Sequence, residues 1–468
     1  MIRLCSLIVS FLFLALLLGC NGNGKPAVST PANSSDTVEK PVDPPKKPGD
    51  SAKESDNPPK PTPGAPSGAA DWPGFRGPHS SGISKEKDLP TKWSDKENLI
   101  WKIDLPGPGA SSPVVWGDKV FVTCYTGYGV NAKDPGTMED LRRHLLCVDR
   151  KEGNVLWDKE VEAKQPEQPY KGFMLQHGYA SSTPATDGER VYVFHGKTGV
   201  YAYDFAGKEL WQADVGEKLF MWGTGSSPLL YKDFVIVNAG VESGALIALN
   251  RKTGKEEWKT DGLSGCWGSP ALVDVPDGKP ELVLSFPNTV RAFNPDTGKE
   301  LWKCDGIREG YLCPTVVSKD GIVYTIGARS KNALAVKAGG TDDVTKTNRL
   351  WTKNLGSNVV SPTIYEDHLY WVDDGGVAYC LMAKDGEQVY AETLDKAGGI
   401  YASVTIADGK MYVVTKKSGT FVLAAGPKFE VLAHNTLSDD STFNASMAVS
   451  QGQLFLRSDK GLYCIGKK

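Results

Sequence analysis

The chain is 468 residues long, 40% hydrophobic, and sets 53 Lys and Arg against 56 Asp and Glu for a formal net charge of -3. That balance supplies no basic face for a phosphate backbone, so nucleic acid is excluded as an expected partner. The apolar content is enough for a large buried core, and a single ordered domain can hold it if its units pack mainly on their neighbours.

In chain order, Arg3 precedes an apolar run from Leu7 to Leu18. The run is too short for a comfortable membrane span and reads as the hydrophobic part of a signal peptide over residues 1–19. It ends on Leu17-Leu18-Gly19-Cys20, which resembles the bacterial lipobox and implies cleavage before Cys20 and acylation of that thiol. The competing reading is an ordinary secretory signal with an incidental cysteine. Asn21 stands after the cysteine in place of Asp, which favours an outer-membrane anchor, with the protein facing the periplasm or the cell surface. Residues 20–70 follow, rich in Pro, Lys, Asp, Ser and Gly, as in Pro44-Pro45-Lys46-Lys47-Pro48. They cannot bury enough apolar surface to fold and read as an extended spacer.

Residues 71–468 carry a repeat. Trp101, Trp157, Trp211, Trp258, Trp302 and Trp351 each end a similar phrase, usually just after a Gly-Lys or Gly-Asn turn. Val200-Tyr201-Ala202-Tyr203-Asp204 aligns with Leu246-Ile247-Ala248-Leu249-Asn250 and with Val290-Arg291-Ala292-Phe293-Asn294, and each leads through Gly207, Gly254 or Gly298 to its tryptophan. Alternation followed by Asp or Asn and then Gly is the pattern of a hairpin, here strand C turning into strand D. Two more strand-like runs precede each hairpin, such as Arg190 to Phe194 after Asp187-Gly188, so each period supplies four short antiparallel strands, one propeller blade. The register continues through Gly386 and Gly426 in two units without the tryptophan. The chain ends on a strand B and a strand C, whereas Asn98 to Lys102 is a strand D with nothing before it. Joining them closes a ring without an open edge. The expected fold is an all-β, eight-bladed propeller of four-stranded antiparallel blades, monomeric, with units of about 45 to 50 residues.

Without Cys5 and Cys20, seven cysteines remain, so at least one is free. Register arguments place Cys124 beside Leu145 and Cys147 beside Val122, a diagonal too long for a disulfide, and leave Cys304 with Cys313 as the feasible pair. No spacing suggests zinc, and no metal site is expected.

Connections B-to-C and D-to-A fall on the same face of such a ring, and here both are elaborated. They bring Tyr125, Tyr128, Arg142 and Arg143 from the first blade, then Phe173, His177 and Tyr179, then Trp222, Trp267 and Tyr311, to one mouth of the channel. These residues form the candidate binding face. The plainer reading is that they plug the channel and cap inner strands. No catalytic residue is singled out.

Two phrases, Asp149-Arg150-Lys151-Glu152-Gly153-Asn154-Val155-Leu156-Trp157 and Asn294-Pro295-Asp296-Thr297-Gly298-Lys299-Glu300-Leu301-Trp302, closely resemble the repeat of the PQQ-like, quinoprotein-type propellers. Asp71-Trp72-Pro73-Gly74-Phe75-Arg76-Gly77-Pro78 resembles the opening of one branch of that family. The catalytic branch implies pyrroloquinoline quinone, calcium and adjacent cysteines, and this chain has no adjacent cysteine pair. The non-catalytic branch, similar to the beta-barrel assembly lipoprotein of the outer membrane, implies a lipid anchor, no cofactor and unidentified protein partners at the membrane. Lipobox and spacer favour it. The rivals are a dehydrogenase of alcohols or sugars dependent on the quinone, and a protein that binds carbohydrate or another small molecule.

Overall fold

The structure is a computed structural model that describes residues 71–467 apart from 277 and 328. The signal peptide, Cys20 and the spacer lie outside the described residues. Within them the chain folds into eight antiparallel blades of four strands each, and two blades carry one extra short strand. The first blade shows the order from axis to rim: Val114–Trp116, Lys119–Thr126, Arg142–Asp149 and Val155–Glu162. Middle strands are buried on both faces and read as nearly continuous apolar runs, for example Arg190–Phe194 and Val200–Asp204. Outer strands alternate, as in Val155–Glu162.

Ring closure follows the expectation. Leu99–Asp104 pairs antiparallel with Gly461–Gly466, setting Trp101 opposite Cys464 and Asp104 opposite Gly461. The last blade therefore takes its outer strand from the start of the propeller, and no blade edge is left open at the seam.

The repeated tryptophans join blade to blade. In five of the six the indole N–H reaches a carbonyl in the C-to-D turn of the next blade: Trp101 to Arg150 at 2.7 Å, Trp157 to Phe205 at 3.1 Å, Trp211 to Arg251 at 3.0 Å, Trp258 to Pro295 at 3.1 Å and Trp351 to Ala383 at 2.9 Å. The ring lies flat against the turn glycine. At Gly153, with φ of 76°, an added Cβ would stand 2.8 Å from Trp101 Cδ2. The glycine thus meets two demands, a left-handed backbone and a close aromatic approach.

Trp302 departs from this pattern. The fifth blade has no short turn to offer, because its C-to-D connection carries the strand Asp342–Asp343, parallel to Glu300–Asp305, and the helical turn Thr345–Asn348. Trp302 is fully buried and donates to Glu281 Oε2 at 2.7 Å instead. The expectation of one simple hairpin per tryptophan fails here, since the insertion covers the site where the next turn would dock.

Around the axis the inner strands are linked by a closed circle of hydrogen bonds. The Ser112 N–H donates to Thr183 Oγ1 at 2.9 Å, Thr183 to Ser227 at 3.0 Å, Ser227 to Ser269 at 2.9 Å and Ser269 to Thr315 at 2.9 Å. Thr315 donates to Ser361 at 2.9 Å, Ser361 to Ser403 at 3.0 Å, Ser403 to Ser446 at 3.0 Å and Ser446 back to Ser112 at 3.1 Å. Each blade supplies one hydroxyl, and each hydroxyl satisfies a buried N–H of its neighbour.

The segment before the closing strand crosses the opposite mouth. Trp72 bridges to Val115 in the first blade, Pro73 accepts from the Thr186 N–H in the second, and Ile83–Ser84 pairs in parallel with Thr405–Ala407 in the seventh. Arg76 is buried between them and donates to the carbonyls of Ser80, Ser81, Ser361 and Pro362 and to Thr363 Oγ1, so carbonyl dipoles rather than a carboxylate hold its charge. Burial lowers its pKa to about 9. The Asp71-to-Pro78 phrase is thus a plug for the channel.

The cysteine readings need two corrections. Cys124 stands opposite His144 and Cys147 opposite Phe121, one residue away from the expected register. Because side chains alternate, that slip puts the two thiols on opposite faces of the blade, in different core clusters. Cys304 and Cys313 are not bridged: Cys304 is buried in the fourth blade's outer strand, whereas Cys313 lines the central channel. All seven described thiols are free.

Candidate functional site

The plug makes the channel a blind funnel. Its floor is Phe75, its lower wall is the hydroxyl circle, and its mouth is aromatic, enclosing about 180 Å³. Of the residues proposed from sequence, Phe173, His177, Trp222, Trp267 and Tyr311 line it together. Tyr401 joins them from the seventh blade's approach. Trp222 packs edge-on against Tyr311 with centroids 4.3 Å apart and lies 5.1 Å from Trp267. The Trp267 indole donates to the Gly223 carbonyl at 2.8 Å and the Tyr311 hydroxyl to Asn358 Oδ1 at 2.8 Å, which fixes both rings. Lys416 sits 3.5 Å from the Tyr401 centroid, and Arg329 lies over Phe173 and Tyr311.

The other proposed residues are elsewhere. Tyr125, Tyr128 and Tyr179 are buried and pack on one another beneath the long loops, with Tyr125 and Tyr179 edge-to-face at 5.2 Å. Arg142 stays on the surface beside Glu160 and Glu162. Arg143 is buried and pairs with Glu167 at 2.6 Å, fastening the 164–179 connection to the first blade. That connection ends in the helical turn Met174–His177, which is stopped by Gly178 at φ of 63°. A Cβ on Gly178 would fall 2.3 Å from the Tyr125 ring, so the buried tyrosines set where Phe173, Gln176 and His177 meet the funnel.

The groups in the funnel are neutral or cationic. Burial pushes the His177 imidazole down to about 4, and its Nδ1 lies 2.7 Å from Ser181 Oγ, so at neutral pH it is an uncharged hydrogen-bonding group. Burial pushes the Cys313 thiol up to about 12, which keeps it protonated and unreactive. No Asp or Glu is among the lining residues. Just behind the wall, burial raises Glu242 to about 7, with Thr224 donating to its Oε1 while Oε2 has no partner.

Sequence reading missed the hydroxyl circle, the plug and Asn444. A signal for the circle existed: Ser-Ser-Pro or Ser-Thr-Pro recurs at Ser111, Ser182 and Ser226, in step with the tryptophans.

A plugged eight-bladed ring with one elaborated mouth and tryptophans bolting its blades defines a propeller of the PQQ-like class. The model of the family described as outer membrane protein assembly factor BamB matches residues 141–305 and again 287–428, and the chain belongs to that family. Among solved structures it is similar to BamB from Moraxella catarrhalis, with 13% identity, 79% of this chain and 97% of that one covered, and a TM-score of 0.54. It is similar to the computationally designed Ika8 protein, with 12% identity, coverage of 79% and 99%, and a TM-score of 0.54. A quinohemoprotein alcohol dehydrogenase from Comamonas testosteroni aligns at 13% identity over 86% and 82%, with a TM-score of 0.42. At these identities the first two likenesses show the fold alone. A comparison with curated proteins finds no match.

The residues present do not fit a calcium-bound quinone. The funnel wall offers no carboxylate, and among the described residues no three of His, Cys, Asp and Glu gather as a metal site. Asp187 and Asp296, acidic residues of the repeat, are engaged away from the funnel: Asp187 accepts from the Glu189 and Arg190 N–H groups in its own turn, and Asp296 Oδ1 accepts from Lys232 Nζ at 2.7 Å.

Proposed function

We propose that the protein is a lipid-tethered, non-catalytic propeller that presents its funnel face to protein partners in the assembly of outer-membrane proteins. Membership of the BamB family carries the reading. The shape of the face supports it. Phe220 and Met221 stand 43% and 58% exposed at the rim, Leu175 and Val130 are exposed on loops of the same face, and large apolar side chains on one loop face favour a protein contact. The tether in this reading is the acylated Cys20, followed by the spacer to residue 70. No helix among the described residues is long and apolar enough to cross a membrane.

Depleting the protein from its own cell and measuring barrel proteins in the outer membrane tests the role. A fall in those proteins, restored by the intact chain and not by Cys20→Ser, is expected. Unchanged levels would contradict it.

A further inference from the structure

The funnel presents hydrogen-bond donors that have no acceptor within the described residues. Each hydroxyl of the circle accepts one N–H, yet among the described residues none of the eight has an acceptor for its own hydrogen. Ser112, Ser269, Thr315, Ser361, Ser403 and Ser446 face the cavity. Asn444 also lines it; its Nδ2 donates to the Gln176 carbonyl at 2.6 Å, while its Oδ1 is buried without a partner. The donors that face the funnel are open to an occupant whose own groups accept hydrogen bonds. A carboxylate could take the donors but would leave the flat apolar walls unfilled. A bare aromatic ring could fill the walls but would leave the hydroxyls unmet. A ring that carries several hydroxyl groups satisfies both, since each of its hydroxyls donates and accepts.

Size points the same way. A cavity of roughly 150 Å³ admits a single six-membered ring such as benzene, and the funnel is only slightly larger. Trp222, Trp267, Tyr311 and Tyr401 supply flat apolar faces for the C–H faces of such a ring. We propose that the blind funnel is a saccharide site, which takes one sugar ring between the aromatic mouth and the Ser/Thr collar. The ring can be a free monosaccharide or the end of a glycan chain, and the mouth, open to solvent, leaves room for the rest of the chain. Phe220 packs on Trp222 and Trp267, so the site adjoins the apolar rim; the partner reading is tested by its own experiment, the level of outer-membrane barrel proteins, so absence of sugar binding would leave it standing.

The test is titration of the full chain with glucose, galactose, mannose, N-acetylglucosamine and glucuronate, and with oligosaccharides ending in each, followed by tryptophan fluorescence and calorimetry. Benzoate and pyrroloquinoline quinone serve as ring-bearing controls without the sugar pattern. Saturable binding of at least one sugar at one site is expected, weakened at least tenfold by Trp222→Ala and by Asn444→Leu. Trp222 is at the rim, and an unchanged thermal midpoint certifies that its variant is folded. Tighter binding of the oligosaccharide than of its terminal monosaccharide would identify a glycan end, and equal binding a free sugar. No saturable binding of any sugar, binding of the controls alone, wild-type affinity in both variants, or a sugar-soaked crystal with only water in the collar would each overturn the proposal.

Discussion

The indole N–H of Trp101 donates to the Arg150 carbonyl at 2.7 Å across the seam where the last blade meets the first. Arg150 answers in the other direction, through Nη2 to the Ser450 carbonyl at 2.6 Å and Nε to Gln453 Oε1 at 2.9 Å. The seam is thus held by covalent continuity of a strand on one side and by reciprocal hydrogen bonds on the other. Trp101→Ala removes a buried indole and is expected to cost about 3–5 kcal/mol. Trp101→Phe, which keeps most of the packing, should cost about 1 kcal/mol for the lost hydrogen bond. Gly153→Ala should destabilise as well, because it meets both the left-handed backbone and the Trp101 ring. Denaturant unfolding of the three variants checks the order.

The hydroxyl circle predicts a different response. Ser361→Ala leaves the Thr315 N–H buried without an acceptor and is expected to cost about 1–3 kcal/mol. Ser361→Thr should be close to neutral, since Thr183 and Thr315 fill the same role in other blades. Amide exchange at Thr315 read by mass spectrometry should quicken in the alanine variant only.

Glu242 gives a pH dependence whose sign can be worked out. Its folded pKa, about 7, is above the ordinary 4.5 because burial penalises the charged form. Between those values the native chain holds a proton that the unfolded chain has released, so its contribution to stability is full below pH 4.5 and is lost as pH rises through 7. Glu242→Gln removes the titration. Thermal midpoints of wild type and variant should therefore diverge as pH rises from about 5 to 8, with the wild type losing ground. Parallel curves would contradict the assignment.

The described cysteines, from Cys124 to Cys464, are all free. Alkylation of the unfolded, unreduced protein followed by peptide mapping should find each of them modified. A Cys304–Cys313 disulfide peptide would contradict this arrangement.

Fold was readable from sequence wherever the repeat was local. Trp157, Trp211, Trp258 and Trp302 each lie four residues beyond a turn glycine, so the hairpin, the blade and the number of blades could be counted, and the orphan strand at Trp101 marked the closure. Blade five was misjudged because its insertion keeps the Leu350-Trp351 phrase while removing the turn. The Cys124 register slipped by one because the eight-residue strands of the first blade are longer than those used to set it. Site residues were harder. An aromatic in a loop gives no sign of whether it faces the channel, as Trp222 does, or a neighbouring tyrosine, as Tyr125 does, since that depends on how the 164–179 connection folds back. The plug was quoted as a motif, but its place depends on contacts with distant blades, such as Arg76 with Pro362, that no local pattern encodes.

The central claim is that the funnel face, and not the plugged face, meets protein partners. A photoreactive residue placed at Met221 on the funnel rim and, separately, at Lys151 in an exposed turn of the plugged face tests it in the native membrane. Defined protein adducts at Met221 and none at Lys151 are predicted. Adducts at Lys151 alone, or at neither position, would contradict the account.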